Sequence, residues 1–325
     1  MEKMPILGIV VPAFNEEVVI NTSAKRLFEK MQQMMAAQII SEQSFILFID
    51  DGSSDNTWKY IQHLCNKSQD KPQDKILANF FKGIKLSKNF GHQNALLSGL
   101  HYLTDKVDVV ISIDVDLQQD IGAMDEFIQQ YQLGCDIVYG VRHHRESDSS
   151  FKKFTALSFY TLMKWCGINV IKNHADYRLL SNKVLRTLKN FKEHNLFLRG
   201  LLANIGFKHS TVYHHVYKRE LGSSKYSLKK MLALAIDGIT SFTVAPVRFI
   251  TMVGGLIFVF SFFMIGYILL MTFNGHVVPG WASTVIPIYF IGGIQLISLG
   301  VVGEYIGKIY METKARPAYI IEEIS

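Results

Sequence analysis

The sequence predicts an α/β fold built on a mostly parallel sheet, followed by a pair of membrane-spanning helices. Three observations carry this. Apolar runs without polar alternation recur between segments of helical spacing in the first half of the chain. Three of these runs stop at clusters of acids. From Phe249 to Gly303, no Asp, Glu, Lys or Arg occurs. Buried strands separated by helices argue for a parallel sheet covered on both faces. A chain of 325 residues holds one sizeable domain and something smaller.

The elements follow in order. Ile6–Val11 is a β-branched strand ending at Pro12, and Val18–Met35 carries helical spacing. Phe45–Ile49 is a second strand, closed by Asp50-Asp51-Gly52-Ser53, and Asn56–Cys65 reads as a helix entered from that turn. Lys82–Leu86 predicts a third strand and Gln93–Tyr102 a helix. Val107–Ile113 is a continuous apolar strand stopping at Asp114, and Asp136–Gly140 is another. Phe151 to Pro246 is less regular and more basic. Within it, Ser227–Phe242 places Leu228, Met231, Leu232, Ala235 and Ile239 on one helical face, which suits either a bilayer surface or a soluble core. Phe249–Phe273 and Val285–Tyr310 each exceed the roughly 20 residues that cross a hydrocarbon core. Asn274–Ser283 fits a short turn between them.

The chain thus divides into residues 1–226, a juxtamembrane helix 227–246, two spans within 247–311 and a tail 312–325. Lys225, Lys229, Lys230 and Arg248 precede the apolar region, and Lys308, Lys314 and Arg316 follow it, while the turn between the spans has none. By the positive-inside rule both termini and the polar domain are cytoplasmic, on the inner membrane. The net charge of +6 is placed on both flanks of a membrane segment, which speaks against nucleic acid as the partner. Gly254, Gly255, Gly266, Gly292, Gly293, Gly300, Gly303 and Gly307 allow close helix packing, within the pair or in a homo-oligomer. Cys65, Cys135 and Cys166 lie far apart, without CxxC spacing, and read as reduced structural thiols.

Ligands of such sheets sit outside the carboxyl ends of the strands, where this chain places Asn15-Glu16-Glu17, Asp50-Asp51 and Asp114-Val115-Asp116. The carboxylates of Asp114 and Asp116 are suited to a hard divalent cation, Mg²⁺ or Mn²⁺, whose shell diphosphate oxygens would complete. Such an ion neutralises charge on a departing diphosphate. Gly52 permits a tight turn, and Asp55 or Thr57 can cap the next helix. Capping does not call for two acids directly after a buried strand, and Asp51 could accept hydrogen bonds from a nucleobase or ribose. His92, His143, His144, His214 and His215 read as ordinary polar residues.

Together these residues resemble the family 2 glycosyltransferases of GT-A fold, a Rossmann-like nucleotide-diphospho-sugar transferase domain. The match continues through Ser87-Lys88-Asn89-Phe90-Gly91-His92-Gln93 and Asp114-Val115-Asp116-Leu117-Gln118. Ala175-Asp176-Tyr177-Arg178, Phe197-Leu198-Arg199-Gly200 and Arg219-Glu220-Leu221-Gly222-Ser223-Ser224-Lys225-Tyr226 extend it to the polyprenyl-phosphate glycosyltransferases with two C-terminal spans. One departure is visible. Where many relatives read Asp-Leu-Gln-Asp-Pro-Pro, this chain reads Asp116-Leu117-Gln118-Gln119-Asp120-Ile121, which leaves Asp120 without an implied role.

The resemblance implies a nucleotide-sugar pocket at Pro12, Ala13, Asn15, Glu16, Asp50, Asp51, Lys88 and Asp114. It implies catalytic positions at Asp114, Asp116, Asp176 and Arg178, with Asp116 on the metal. Arg199, Arg219, Ser224 and Lys225 would serve the acceptor phosphate, since Arg suits bidentate phosphate contacts and Lys supplies a point charge. The implied reaction is inverting transfer of a sugar from a nucleotide-diphosphate donor, UDP-glucose or a related UDP- or GDP-sugar, to polyprenyl phosphate at the membrane. A processive polysaccharide synthase is the enzymatic rival, but it needs more spans, and the Gln-x-x-Arg-Trp motif such synthases carry is absent. A nucleotidyltransferase has no use for the later basic motifs. A decayed scaffold would have lost acids that are all present.

Overall fold

The computed structural model describes residues 4–66, 80–142, 174–191, 198–215, 217, 245–274 and 280–325. It divides into two units. One comprises Met1–Tyr160, Asn169–Lys225 and Arg316–Ser325; the other comprises Thr161–Ile168 and Tyr226–Ala315.

The first unit opens as β1 (Leu7–Ala13), α1 (Ile20–Ala36), β2 (Phe45–Asp50), α2 (Thr57–Asn66), β3 (Phe81–Leu86), α3 (His92–Leu103) and β4 (Val109–Ser112). A 3₁₀ turn at Ile121–Ala123 leads into α4 (Met124–Gln132) and β5 (Ile137–Arg142). β6 (His174–Ser181), α5 (Asn182–Leu188), α6 (Leu198–Asn204) and β7 (His209–His214) follow. All seven residues of β1 and all six of β2 are buried, so their unalternating apolar pattern has the cause expected of strands covered on both faces.

The eight strands form one sheet in the order β7-β5-β6-β4-β1-β2-β3-β8. β4, β1, β2 and β3 run parallel, β6 lies antiparallel between β4 and β5, and β7 is parallel to β5. One apolar cluster joins Leu7, Ile9 and Val11 to Leu27 and Met31 of α1, Ile61 of α2 and Phe127 of α4. The other joins Val10, Leu47 and Val110 to Leu96 and Leu100 of α3 and to Val184 and Leu188 of α5. Alternate residues of β1 therefore serve opposite layers. Gly99 lets α3 settle on the sheet, because a Cβ there would lie 2.6 Å from Val10 Cγ1.

The strand β8 (Ile321–Ile324) closes the sheet antiparallel to β3. The sequence alone reads these residues as part of a tail, and the structure makes them a strand. Lys85 pairs with Glu322 at 3.1 Å, Trp58 Nε1 donates to Glu323 Oε2 at 3.1 Å, and the Ser87 amide donates to Ile320 O at 3.0 Å.

The second unit holds two long helices, α7 (Ala245–Phe273) and α8 (Trp281–Thr313). Within α8, Phe290–Thr313 is long and apolar enough to cross a membrane, and none of its apolar window is buried; α7 carries a shorter apolar stretch, Phe249–Met264. A Cβ at any of the eight glycines from Gly254 to Gly307 meets nothing within 4 Å among the described residues. The amphipathic segment Ser227–Phe242 lies outside the described residues.

Candidate active site

The strand order reverses between β1 and β4, which makes their carboxyl ends the topological switch point of the sheet. Ala13, Asp50 and Ser112 are the last residues of β1, β2 and β4, and Ala13 pairs with Asp50 across the ladder.

Around Asp51 the loops are tied tightly. Its amide donates to Ala13 O at 2.9 Å, and its carboxylate accepts from the amides of Phe90 at 2.7 Å and Gly91 at 3.0 Å. Burial pushes the Asp51 carboxyl above the usual range, and the two amide bonds draw it back. Gly52 has φ of +66°, and a Cβ on it would lie 2.3 Å from the Lys88 carbonyl carbon. Only glycine lets the loop after β3 pass this close. Lys88 thus approaches Gly52 through its backbone, while its Nζ sits 5.1 Å from the Phe90 ring centre. Asp50 is fully buried, and desolvation raises its carboxyl. Its Oδ2 accepts from the Ser53 amide at 3.3 Å, whereas Oδ1 has no partner among the described residues.

The loop after β1 is laced to the loop after β2. The Asn15 amide donates to Ser53 Oγ, and its side chain accepts from the Ser54 amide, both at 2.9 Å. The amides of Glu16 and Glu17 donate to Thr57 Oγ1 at 2.9 Å and Asp55 Oδ2 at 3.2 Å. Glu17 accepts from the Asn56 amide at 3.0 Å. Asn15 and Glu17 therefore serve loop architecture with their own polar atoms, and Pro12 and Ala13 lie buried in β1.

The second cluster follows β4. This strand ends at Ser112, so the Asp114-Val115-Asp116 acids stand in a turn, where the Leu117 amide donates to Asp114 O at 3.1 Å. Val115 and Leu117 are buried while Asp114 and Asp116 are half-buried, so apolar anchors hold the turn with its acids toward water. β6 pairs Arg178 with Ser112, which carries Asp176 alongside the same turn. Arg178 is 1% exposed and its guanidinium pairs with Asp176 Oδ1.

His92, the first residue of α3, reads from sequence as an ordinary polar residue. Its Nε2 lies 3.6 Å from Asp114 Oδ1 and 3.4 Å from Asp176 Oδ2, so it stands between the two acids. Gln119 was also missed, and its Nε2 donates to Asp114 Oδ2 at 2.6 Å. Both lie inside motifs quoted above, but their contacts span loops that no spacing rule connects. Arg199 lies in α6. Arg219, Ser224 and Lys225, with His143 and His144, fall outside the described residues.

The sheet of a mannosyltransferase from Pyrobaculum calidifontis in complex with GDP-Man and Mn²⁺ is similar in fold. The TM-score is 0.51 at 13% identity, over 74% of this chain and 64% of that one. Among proteins similar in sequence is an uncharacterized glycosyltransferase, YkoT, of Bacillus subtilis (strain 168). It is 46% identical over 99% of this chain and 92% of its own. A bactoprenol glucosyl transferase of Shigella phage SfX is 37% identical over 97% and 98%. A prophage bactoprenol glucosyl transferase homolog of Escherichia coli (strain K12) is 36% identical over 98% and 99%. The family 2 glycosyl transferase profile matches residues 8–189, from β1 through α5 and so across both acidic clusters. On this footing the chain is a glycosyltransferase and belongs to glycosyl transferase family 2.

Proposed function

We propose that the chain moves one sugar from a nucleotide-diphosphate donor to polyprenyl phosphate at the cytoplasmic membrane face, with inversion at the anomeric carbon. The observation that carries this reading is a combination: acids gathered at the switch point of a family 2 sheet, in a chain with an apolar helix long enough to cross a membrane. The near full-length likeness to proteins named as bactoprenol glucosyl transferases supports the acceptor and favours glucose as the sugar, carried by UDP or a related nucleotide.

Asp114 and Asp116 fit a divalent ion as hard oxygen ligands on one half-exposed turn. No group of three ligating side chains occurs among the described residues, so donor diphosphate oxygens and water would complete the shell. Mg²⁺ or Mn²⁺, when bound, supplies charge neutralisation for the leaving diphosphate. A pocket carrying Asp50, Asp51, Asp114 and Asp176 would otherwise repel such a donor.

In this reading Asp51 and the loop ending at Lys88 shape the nucleotide end of the pocket, together with Pro12, Ala13, Asn15, Glu16 and Asp50. Asp114 contacts the donor, and Asp176, held by Arg178, borders the reacting end. A phosphate monoester acceptor has a second pKa of about 6 and is mostly dianionic at neutral pH. It needs positioning more than a general base. Arg199, Arg219, Ser224 and Lys225 receive its head group. The two helices span the bilayer with both termini cytoplasmic, and their glycines allow close packing of helices, within the pair or between copies of the chain.

The test is transfer of labelled sugar by purified full-length protein. Radioactivity in a lipid-extractable product that requires added polyprenyl phosphate is expected. Ready transfer to soluble sugars, with none to polyprenyl phosphate, would overturn the reading.

A further inference from the structure

One buried side chain beside the acidic turn has no part in the reading above. Gln119 is 3% exposed and lies deeper than Asp114 or Asp116. Its Nε2 donates to Asp114 Oδ2 at 2.6 Å, while its Oε1 is buried with no hydrogen-bond partner among the described residues. A carboxylate offers only acceptors, so the amide nitrogen is the end that must face it. A half-satisfied amide in the interior is unfavourable, and a chain evolving for stability alone would replace it with an apolar residue.

The geometry explains what the amide does in return. Asp114 is held at its Oδ2 by Gln119, while its Oδ1 faces His92 Nε2 at 3.6 Å. A neutral donor fixes the direction of a carboxylate without cancelling its charge, as Lys or Arg would, and without repelling it, as another acid would. Gln119 also stands where this chain departs from the Asp-Leu-Gln-Asp-Pro-Pro pattern.

We propose that Gln119 is a positioning residue that fixes the Asp114 carboxylate for contact with the nucleotide-sugar donor. It acts through Asp114 and touches no reacting atom. This rests on the reading of Asp114 as a donor contact, and the experiment separates the two.

Full-length protein in detergent is titrated by calorimetry, with Mn²⁺ present, against UDP-glucose, UDP-N-acetylglucosamine and GDP-mannose. Wild type, Gln119→Met, Gln119→Glu, Asp114→Ala and the Asp114→Ala/Gln119→Met pair are compared, each checked for cooperative thermal unfolding. Methionine matches glutamine in length and removes the donor; glutamate keeps the shape and turns an acceptor toward Asp114. Gln119→Met should weaken binding of the preferred nucleotide sugar by about tenfold, a typical effect of losing one charge-assisted hydrogen bond. Gln119→Glu should weaken it further. In the Asp114→Ala background, Gln119→Met should change nothing more, because the two side chains act as one unit.

Wild-type affinity in folded Gln119→Met and Gln119→Glu, or additive losses in the double variant, would overturn the proposal. Unchanged binding in Asp114→Ala, or a wild type that takes none of the three nucleotide sugars, would instead sink the donor-site reading.

Discussion

Asp50 is fully buried, with one carboxylate oxygen unpartnered among the described residues, and desolvation raises its carboxyl above the ordinary value of 3.8. A raised folded-state pKa means that the folded protein holds this proton more tightly than the unfolded chain. The charge therefore costs no stability below pH 3.8, and the cost grows as the pH climbs through the folded-state value. Asp50→Asn should stabilise the protein at neutral pH by on the order of 1 kcal/mol, the scale of an unsatisfied buried polar atom. That gain should vanish on acidification, as urea midpoints at pH 7 and pH 3.5 would reveal, while donor binding weakens if Asp50 serves the pocket. Asp116→Asn makes a different prediction: turnover should fall at least a hundredfold with fold and membrane insertion intact. EDTA should inhibit the wild type, and Mg²⁺ or Mn²⁺ should restore it; full activity in metal-free buffer would remove Asp116 from a metal role. Acids following apolar runs were legible because they stand directly after buried strands, where an apolar core does not call for charge. His92 and Gln119 were not, since each gains its meaning from a partner reached through folding.

β1, β2 and β4 could be read directly, because burial on both faces leaves uninterrupted apolar runs, whereas half-buried Lys82 and Lys85 interrupt β3. β6 could not: Asp176 and Arg178 are buried by pairing with each other, which breaks the apolar pattern. β7 keeps only Val212 and His214 buried and reads as polar chain. β8 is exposed along its whole length and owes its existence to the open edge of β3. Its side chains add to the pairing, because Glu323 accepts from both Trp58 Nε1 and Gln62 Nε2. Glu323→Ala should lower stability by about 1 kcal/mol and shift the Trp58 share of the fluorescence emission. Emission that matched wild type, together with an unchanged melting temperature, would mean that backbone pairing alone holds β8. The Cys65 thiol nearby, pushed by burial up to about 11, should stay inert to alkylating reagents in the folded protein.

Across the whole molecule, the charge-free window from Phe249 to Gly303 made the pair of long helices legible. What composition did not reveal is that the chain returns to the sheet afterwards. The positive-inside reading makes a prediction at this scale. With Cys65, Cys135 and Cys166 replaced, a cysteine at Ser283 should react with an impermeant thiol reagent outside intact cells. One at Lys314 should react only after lysis, and the reverse labelling would invert the topology. The place of β8 in the chain has a consequence for biosynthesis. Domains begin to fold while still attached to the ribosome, yet β8 is made after α7 and α8. While both helices are being synthesised, β3 is an open edge, able to pair with another nascent chain on the same messenger. The sheet gains β8 only after both helices have been made. A chain arrested within α8 would leave the ribosome with the acids that follow β1, β2 and β4 in place and a bare edge strand for proteases to recognise.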